Sequence, residues 1–348
     1  MKSLKLLTSL LVFIAVLGTT FFMPFTYASN NDEYVITKDN LDLISYHLQG
    51  KDKYEMCVSI SEGMYIEDFN LPKNVVIVNP SNTVAGFCAV SLAAALDAPI
   101  LYVKSNSIPT SVANELKRLK AENAYIVGST NYVSSNVRNT LKNKYGLNVT
   151  RYTDSSRYVR AVKIANKVNS IKKINSVFIA KSTSSEKTVT PATILSTSAK
   201  NNIPLLYTGA NSLNSSTKNF IKSNSNIKTI YVLKTGLNDN IINDIKKLGK
   251  NVEILSGSDF QINNAANVKL HSNFENLTFV KTISEAIPSS LLAKKHNSAM
   301  VFLSSKTKSY QKEFVSSNPV GYAALVGSVT EKDLYDFSGY LRADPCNG

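Results

Sequence analysis

Lysines and hydroxyl residues stand in this chain where they could grip an anion. Lys181 and Lys281 each close an apolar run, Val177-Phe178-Ile179-Ala180 and Leu277-Thr278-Phe279-Val280. Each then opens a Ser- and Thr-rich loop, 182–185 with Lys187 in one case and 282–284 in the other. Residues 81–83, Ser-Asn-Thr, hold the matching place after Asn74-Val75-Val76-Ile77-Val78. If the runs are strands of an open parallel sheet, these loops lie outside its carboxyl ends, where helix N-termini present unpaired N–H groups that favour negative charge. Lys brings a point charge to such a site and Arg a two-pronged fork. A second basic cluster, Arg151, Arg157, Arg160 and Lys163, reads equally as an anion site or as a solvated helix face with an ion pair. A Ser or Thr ahead of a helix also serves simply as its cap.

Metal and nucleophile chemistry find no support. His47, His271 and His296 are scattered, with no thiol or carboxylate at ligand spacing. No Gly-x-Ser-x-Gly elbow, His-Glu-x-x-His helix or paired-carboxylate arrangement is present. The expectation is a non-enzymatic chain with no cofactor and no metal.

The elements that must position the basic residues recur. The runs at Asn74, Asn175 and Asn276 are 101 residues apart both times. A second strand, Asp97-Ala98-Pro99-Ile100-Leu101-Tyr102, returns as Asn202-Ile203-Pro204-Leu205-Leu206-Tyr207 and, more weakly, Asn297-Ser298-Ala299-Met300-Val301-Phe302. A third, ending at Gly128-Ser129, returns before Lys234 and at Gly327-Ser328. Between the first two lies an Ala-rich run, 84–96, apolar nearly all round and suited to a helix packed on a sheet. Ahead of each repeat stand a polar turn and an apolar-periodic helix, beginning near Gly50, Ser155 and Gly257, with Asp or Ser placed to cap it. Strands alternating with helices imply parallel pairing through right-handed crossovers. The fold class expected is α/β, with an open parallel sheet in each of three tandem modules at 41–150, 151–253 and 254–348.

The 348 residues are 43% apolar and 18% charged, the balance of a soluble globular protein. Lys2 and Lys5 precede an apolar run ending near Pro24, followed by Thr26-Tyr27-Ala28, which reads as a secretory signal peptide over 1–28; the alternative is an uncleaved membrane anchor. Its removal leaves 37 basic against 25 acidic residues, a net +12, which suits an acidic partner. Residues 29–40 read as a flexible N-terminus. Cys57 and Cys88 fall in apolar helical contexts, and an odd count of three cysteines with Cys346 leaves at least one thiol free.

Gly50-Lys51-Asp52-Lys53-Tyr54-Glu55, Ser155-Ser156-Arg157-Tyr158 with Ala161, and Gly257-Ser258-Asp259, with Ala98-Pro99-Ile100-Leu101 and Val127-Gly128-Ser129, resemble the cell wall binding repeat 2 family of clostridial surface proteins and autolysins. The resemblance covers about 41–341. It implies three Rossmann-like or toprim-like modules in a pseudo-threefold triangle, held non-covalently on an anionic, teichoic-acid-like wall polysaccharide of a Gram-positive bacterium. It places the chain, secreted, at the cell wall, with no membrane association once the signal is cleaved. The polymer-binding residues expected are Lys53, Arg151, Arg157, Arg160, Lys181, Lys187 and Lys281. The chain departs from the family at Asn79 to Gly86, at Ser129 and at Lys234, and Phe260 is read as standing in the place of the family's Arg, which Lys53 and Arg157 hold elsewhere. A toprim-like phosphotransfer site would need carboxylates to hold Mg²⁺ where Asn79, Lys181, Lys281, Gly128-Ser129, Lys234-Thr235 and Gly327-Ser328 stand. Nucleic-acid binding rests on net charge alone and is not expected. The alternative function is an exported scaffold that has lost polymer binding and interacts with another surface protein.

Overall fold

The computed structural model describes residues 33–37, 42–66, 70–182, 189–303, 309–318, 322–335 and 337. The signal segment 1–28, Lys187 and Cys346 lie outside the described residues. The first repeat runs α1 (Lys53–Met64), β3 (Asn74–Val78), α2 (Thr83–Leu96), β4 (Ile100–Tyr102), α3 (Thr110–Arg118), β5 (Asn123–Val127), α4 (Ser135–Asn143) and β6 (Asn148–Tyr152). Two further strands precede it, β1 (Glu33–Thr37) and β2 (Asp42–Leu48). The second repeat runs α5 (Arg157–Ile171), β7 (Ser176–Lys181), a 3₁₀ turn (Thr190–Ile194), α6 (Leu195–Asn201), β8 (Leu205–Thr208), α7 (Ser215–Ser223), β9 (Thr229–Leu233), α8 (Asp239–Lys246) and β10 (Asn251–Leu255). The third runs α9 (Asp259–Leu270), β11 (Asn276–Val280), α10 (Ile283–Lys295), β12 (Ser298–Phe302), α11 (Ser309–Ser316), β13 (Tyr322–Val326) and α12 (Glu331–Tyr335).

The described residues form three sheets of one topology, β4-β3-β5-β6, β8-β7-β9-β10 and β12-β11-β13-β2, each parallel throughout these four strands. Central strands such as Val75-Val76-Ile77-Val78 are buried on both faces, which explains why they read as continuous apolar runs rather than alternating ones. The helix after each first strand must end abruptly to return the chain to the sheet. Asp97, Asn202 and Asn297 adopt left-handed backbone there, with φ of 46°, 52° and 48°; Asp and Asn tolerate that region better than other residues with a side chain.

The fourth strand of each sheet lies just ahead of an opening helix, so sequence order and spatial order are offset by one element. β6 completes the first sheet before α5 begins, and β10 completes the second before α9 begins. The fourth strand of the third sheet is β2, from the other end of the chain, in register from Tyr322 opposite Ile44 to Val326 opposite Leu48. Segment 41–150 therefore gives its first strand to the third sheet. Residues 33–37, expected within a flexible N-terminus, form β1 and extend that sheet antiparallel to β2.

The helices close the same cycle. α2, α6 and α10 pack on one another pairwise, while α1 packs on α10, α5 on α2, and α9 on the 3₁₀ turn ahead of α6. Each opening helix thus leans on the central helix of the preceding module, and the third module precedes the first, giving the pseudo-threefold arrangement. Close approach at the centre needs small residues: a side-chain carbon on Gly86 would lie 2.6 Å from Ile287 Cδ1. Tyrosines at the edge strands reach across the seams. Tyr102 donates to Ser284 O at 2.9 Å and Tyr207 to Val84 O at 3.3 Å. The third counterpart, Phe302, has no hydroxyl, and Asn263 Nδ2 donates to Thr193 O across that seam at 2.9 Å.

Cys57 and Cys88 are buried. Burial pushes their thiols up to about 12 and about 11, so both stay protonated and act as small core residues. Among the described residues no helix is long and apolar enough to cross a membrane, and no group of three or more His, Cys, Asp or Glu could hold a metal ion.

Candidate anion-binding sites

The repeat supplies three equivalent positions at the carboxyl end of the first strand, Asn79, Lys181 and Lys281, and their surroundings differ in charge. In the third module Lys281 Nζ reaches Asp333 Oδ2 at 2.5 Å and Ser328 O at 3.2 Å. Beside it, the buried Glu285 carboxylate takes the place an external anion would need. Its Oε2 accepts from Lys281 N and Thr282 N, both at 2.8 Å, and its Oε1 accepts from Ser328 N at 2.8 Å and Ser328 Oγ at 2.7 Å. Thr282 and Glu285 form a capping box, so the helix N-terminus satisfies its own exposed N–H groups. Burial pushes the Asp333 carboxyl up, but bonds from Lys281 and Thr330 outweigh it and hold the group below its ordinary value. This site is neutralised from within.

The first module meets the same need with amides. Asn79 Nδ2 donates to Tyr132 O at 2.8 Å and to Ser105 Oγ at 3.2 Å, and its Oδ1 accepts from Ser81 N at 2.9 Å. Asn82 caps α2 by accepting from Ala85 N. Arg151, on β6, spends its guanidinium on backbone carbonyls, with Nη1 donating to Gly128 O at 2.9 Å and Nη2 to Val133 O at 2.7 Å. Burial, with Arg138 nearby, lowers its pKa. Its observed work is to hold the loop after β5.

The second module alone keeps Lys181 without an ion pair among the described residues. The side chain lies across Gly236, where an added Cβ would come within 2.9 Å of Lys181 Cδ and 3.1 Å of its Nζ; Gly236 also has φ of +69°. Lys234 nearby is held by Asp239 at 2.8 Å.

A second set of equivalent positions opens the module-entry helices, and their caps fix the register. Asp52, Ser156 and Ser258 are the N-caps, so the first helical residues are Lys53, Arg157 and Asp259. This corrects the alignment drawn from sequence: Asp259 rather than Phe260 corresponds to Arg157. Phe260 matches Tyr54 and Tyr158, and all three pack partly buried against the core. The first helical position is therefore basic, basic and acidic in turn. Asp259 Oδ1 accepts from Thr190 Oγ1 at 2.5 Å across the seam between the second and third modules. Lys53 is exposed, and Lys53 and Lys104 both lie 5.8 Å from the centre of the Tyr54 ring.

The sequence cluster Arg151, Arg157, Arg160 and Lys163 does not act as one site. Lys163 pairs with Asp154 at 2.9 Å, and Arg151 serves the β5 loop. Arg157 and Arg160 lie one turn apart on α5. Arg160 is buried in the seam of α5, α2 and β8, where its charge acts on Cys88 and Tyr207. Sequence reasoning missed Glu285, Asp333, Asp259 and Lys104; the Thr-x-x-Glu spacing at 282–285 was the available signal for the first.

Residues 47–138 match the family described as Cell wall binding domain 2 (CWB2). The chain is similar to the N-acetylmuramoyl-L-alanine amidase LytC of Bacillus subtilis, 27% identical over 320 residues that cover 90% of this chain and 58% of the amidase. It also matches the amidase enhancer of Bacillus subtilis, 26% identical over 140 residues, 40% of this chain and 19% of that protein. Among solved structures it resembles Cwp6 from Clostridium difficile, with a TM-score of 0.80 and 21% identity over 92% of this chain and 52% of that one. Cwp8 from Clostridium difficile gives a TM-score of 0.76 and 18% identity over 85% of this chain and 51% of that one. These two likenesses establish the shared fold. The chain spans about half the length of the solved structures and 58% of the amidase it matches.

Proposed function

We propose that this chain, which carries a Cell wall binding domain 2 (CWB2) repeat at residues 47–138, attaches non-covalently to an anionic, teichoic-acid-like polymer of a Gram-positive cell wall. The CWB2 match carries the wall attachment. The anionic nature of the polymer is supported by the net charge of +14 and by the cations left available after internal pairing. On this reading Lys53 and Lys181 meet the polymer directly, with Arg157 beside the seam of the first two modules, and Lys187 is kept as a polymer-binding residue on its sequence position alone. Arg151 and Lys281 support the loops. Polymer contact concentrates on the first two modules, because Glu285, Asp333 and Asp259 supply the third with its own negative charge. Secretion to the wall, and a role as a binding rather than an enzymatic unit, belong to the same reading.

That internal charge also favours a second reading, a scaffold whose third module meets another surface protein. Salt separates the two. Attachment to purified wall sacculi should weaken more than about tenfold between about 0.01 M and about 1 M salt, as the screening length falls from about 30 Å to about 3 Å. Sedimentation that is unchanged over this range would point to recognition of sugar rings or protein.

A further inference from the structure

The fourth residue of each module-entry helix faces the interior, and the repeat fills it with Met56, Arg160 and Ile262. All three are buried, at 5%, 8% and 0% exposure. Two modules thus place an apolar side chain where the second places a permanent cation. Among the described residues Arg160 Nε has no hydrogen-bond partner, and no carboxylate forms an ion pair with the guanidinium. Leaving such a group unpaired in the interior is strongly unfavourable, and an orphaned buried donor in a folded protein signals a water or an ion that belongs there.

What surrounds Arg160 is built for an anion. Arg157 stands one turn away on the same face of α5, and the Tyr207 hydroxyl lies within the field of both arginines. Tyr207 donates to Val84 O in the first turn of α2, so the arginines and the entry to α2 meet at one seam. No acid among the described residues neutralises Arg160, in contrast to Glu285 and Asp333 in the third module. The geometry points to an oxyanion subsite between the first and second modules, with Arg160 as its buried fork and Arg157 at its mouth, taking a phosphate of the wall polymer. This rests on the wall-binding reading and names where one polymer charge is held.

The test uses the whole chain and inorganic phosphate as probe. In phosphate-free buffer at low salt, Arg160→Met, which copies the first module, should melt at or above the wild type, since an unpaired buried charge is replaced by an apolar group of similar length. Added phosphate should raise the melting temperature of the wild type and leave that of the variant unmoved, with phosphate affinity weaker by at least about tenfold. Arg160→Lys, which keeps the charge and loses the fork, should fall between them. Equal phosphate shifts in all three proteins, or no shift in the wild type, would overturn the subsite, as would an Arg160→Met protein that melts lower without phosphate. Sedimentation with sacculi separates the two levels. Loss of phosphate binding together with weaker sedimentation supports the subsite, and unchanged sedimentation of Arg160→Met removes it while leaving the wall reading intact. If the wild type itself does not sediment, the wall reading fails and the phosphate shift still decides the pocket.

Discussion

Glu285→Ala should lower stability by about 3 kcal/mol or more, because four donors at the carboxyl end of the third sheet lose their acceptor at once. Glu285 is 4% exposed, and its carboxylate holds Lys281 N, Thr282 N, Ser328 N and Ser328 Oγ together. It thereby ties the start of α10 to the turn after β13. Glu285→Gln should recover only part of the loss, since its amide nitrogen would face donors on one side. Added phosphate should raise the melting point of Glu285→Ala more than that of the wild type, because the substitution vacates a helix N-terminus suited to an anion. Thermal melts with and without phosphate measure both effects. A melting point for Glu285→Ala close to the wild type would contradict the internal-anion account of the third module.

A chain that begins after β2 should lose the cooperative melt of the third module altogether. β2 is the only partner of β13 on that side among the described residues, and its removal would expose a strand whose residues 323–326 are buried. α1 would also lose the strand from which it enters its seam with α10. Because the three modules lean on one another in a cycle, the damage should spread to the α1–α10 and α6–α10 packing rather than stop at one sheet. Calorimetry of chains beginning at Lys51 and at Asp32 makes the comparison. A melt of equal height and sharpness in both would show that the ring does not depend on its closing strand.

Much of the fold was legible because it repeats. The 101-residue spacing of Asn74, Asn175 and Asn276 located the first strands to within one residue, the strand register matching Ser176 rather than Asn175 to Asn74 and Asn276, and doubly buried strands announce themselves as apolar runs. The closing role of β2 was not legible: its partner β13 lies some 280 residues away, and periodicity reports which residues face a core, not which strand lies alongside. The alignment of the third entry helix went astray for a local reason. Gly257-Ser258-Asp259 offers two capping residues in succession, and only the capping box of Ser258 with Gln261 shows which of them caps.

The candidate site was legible in its residue types and not in their pairing. Lys181 and Lys281 look alike in sequence, yet Lys281 is matched by Asp333, 52 residues on, and Lys181 by no carboxylate among the described residues. Arg160 was readable as basic, while its burial depended on α2 and β8 arriving from two different modules. Its signal was a charge at an interior helical position that Met56 and Ile262 hold elsewhere.

Attachment of a folded basic ring to an anionic wall polymer is tested most directly by sedimenting the whole chain with two preparations of the same sacculi, one intact and one chemically stripped of anionic polymer. Wall attachment through the polymer predicts that the chain pellets with intact sacculi at low salt and stays in solution with stripped ones. Equal pelleting with both preparations would contradict it and assign the contact to peptidoglycan or to protein.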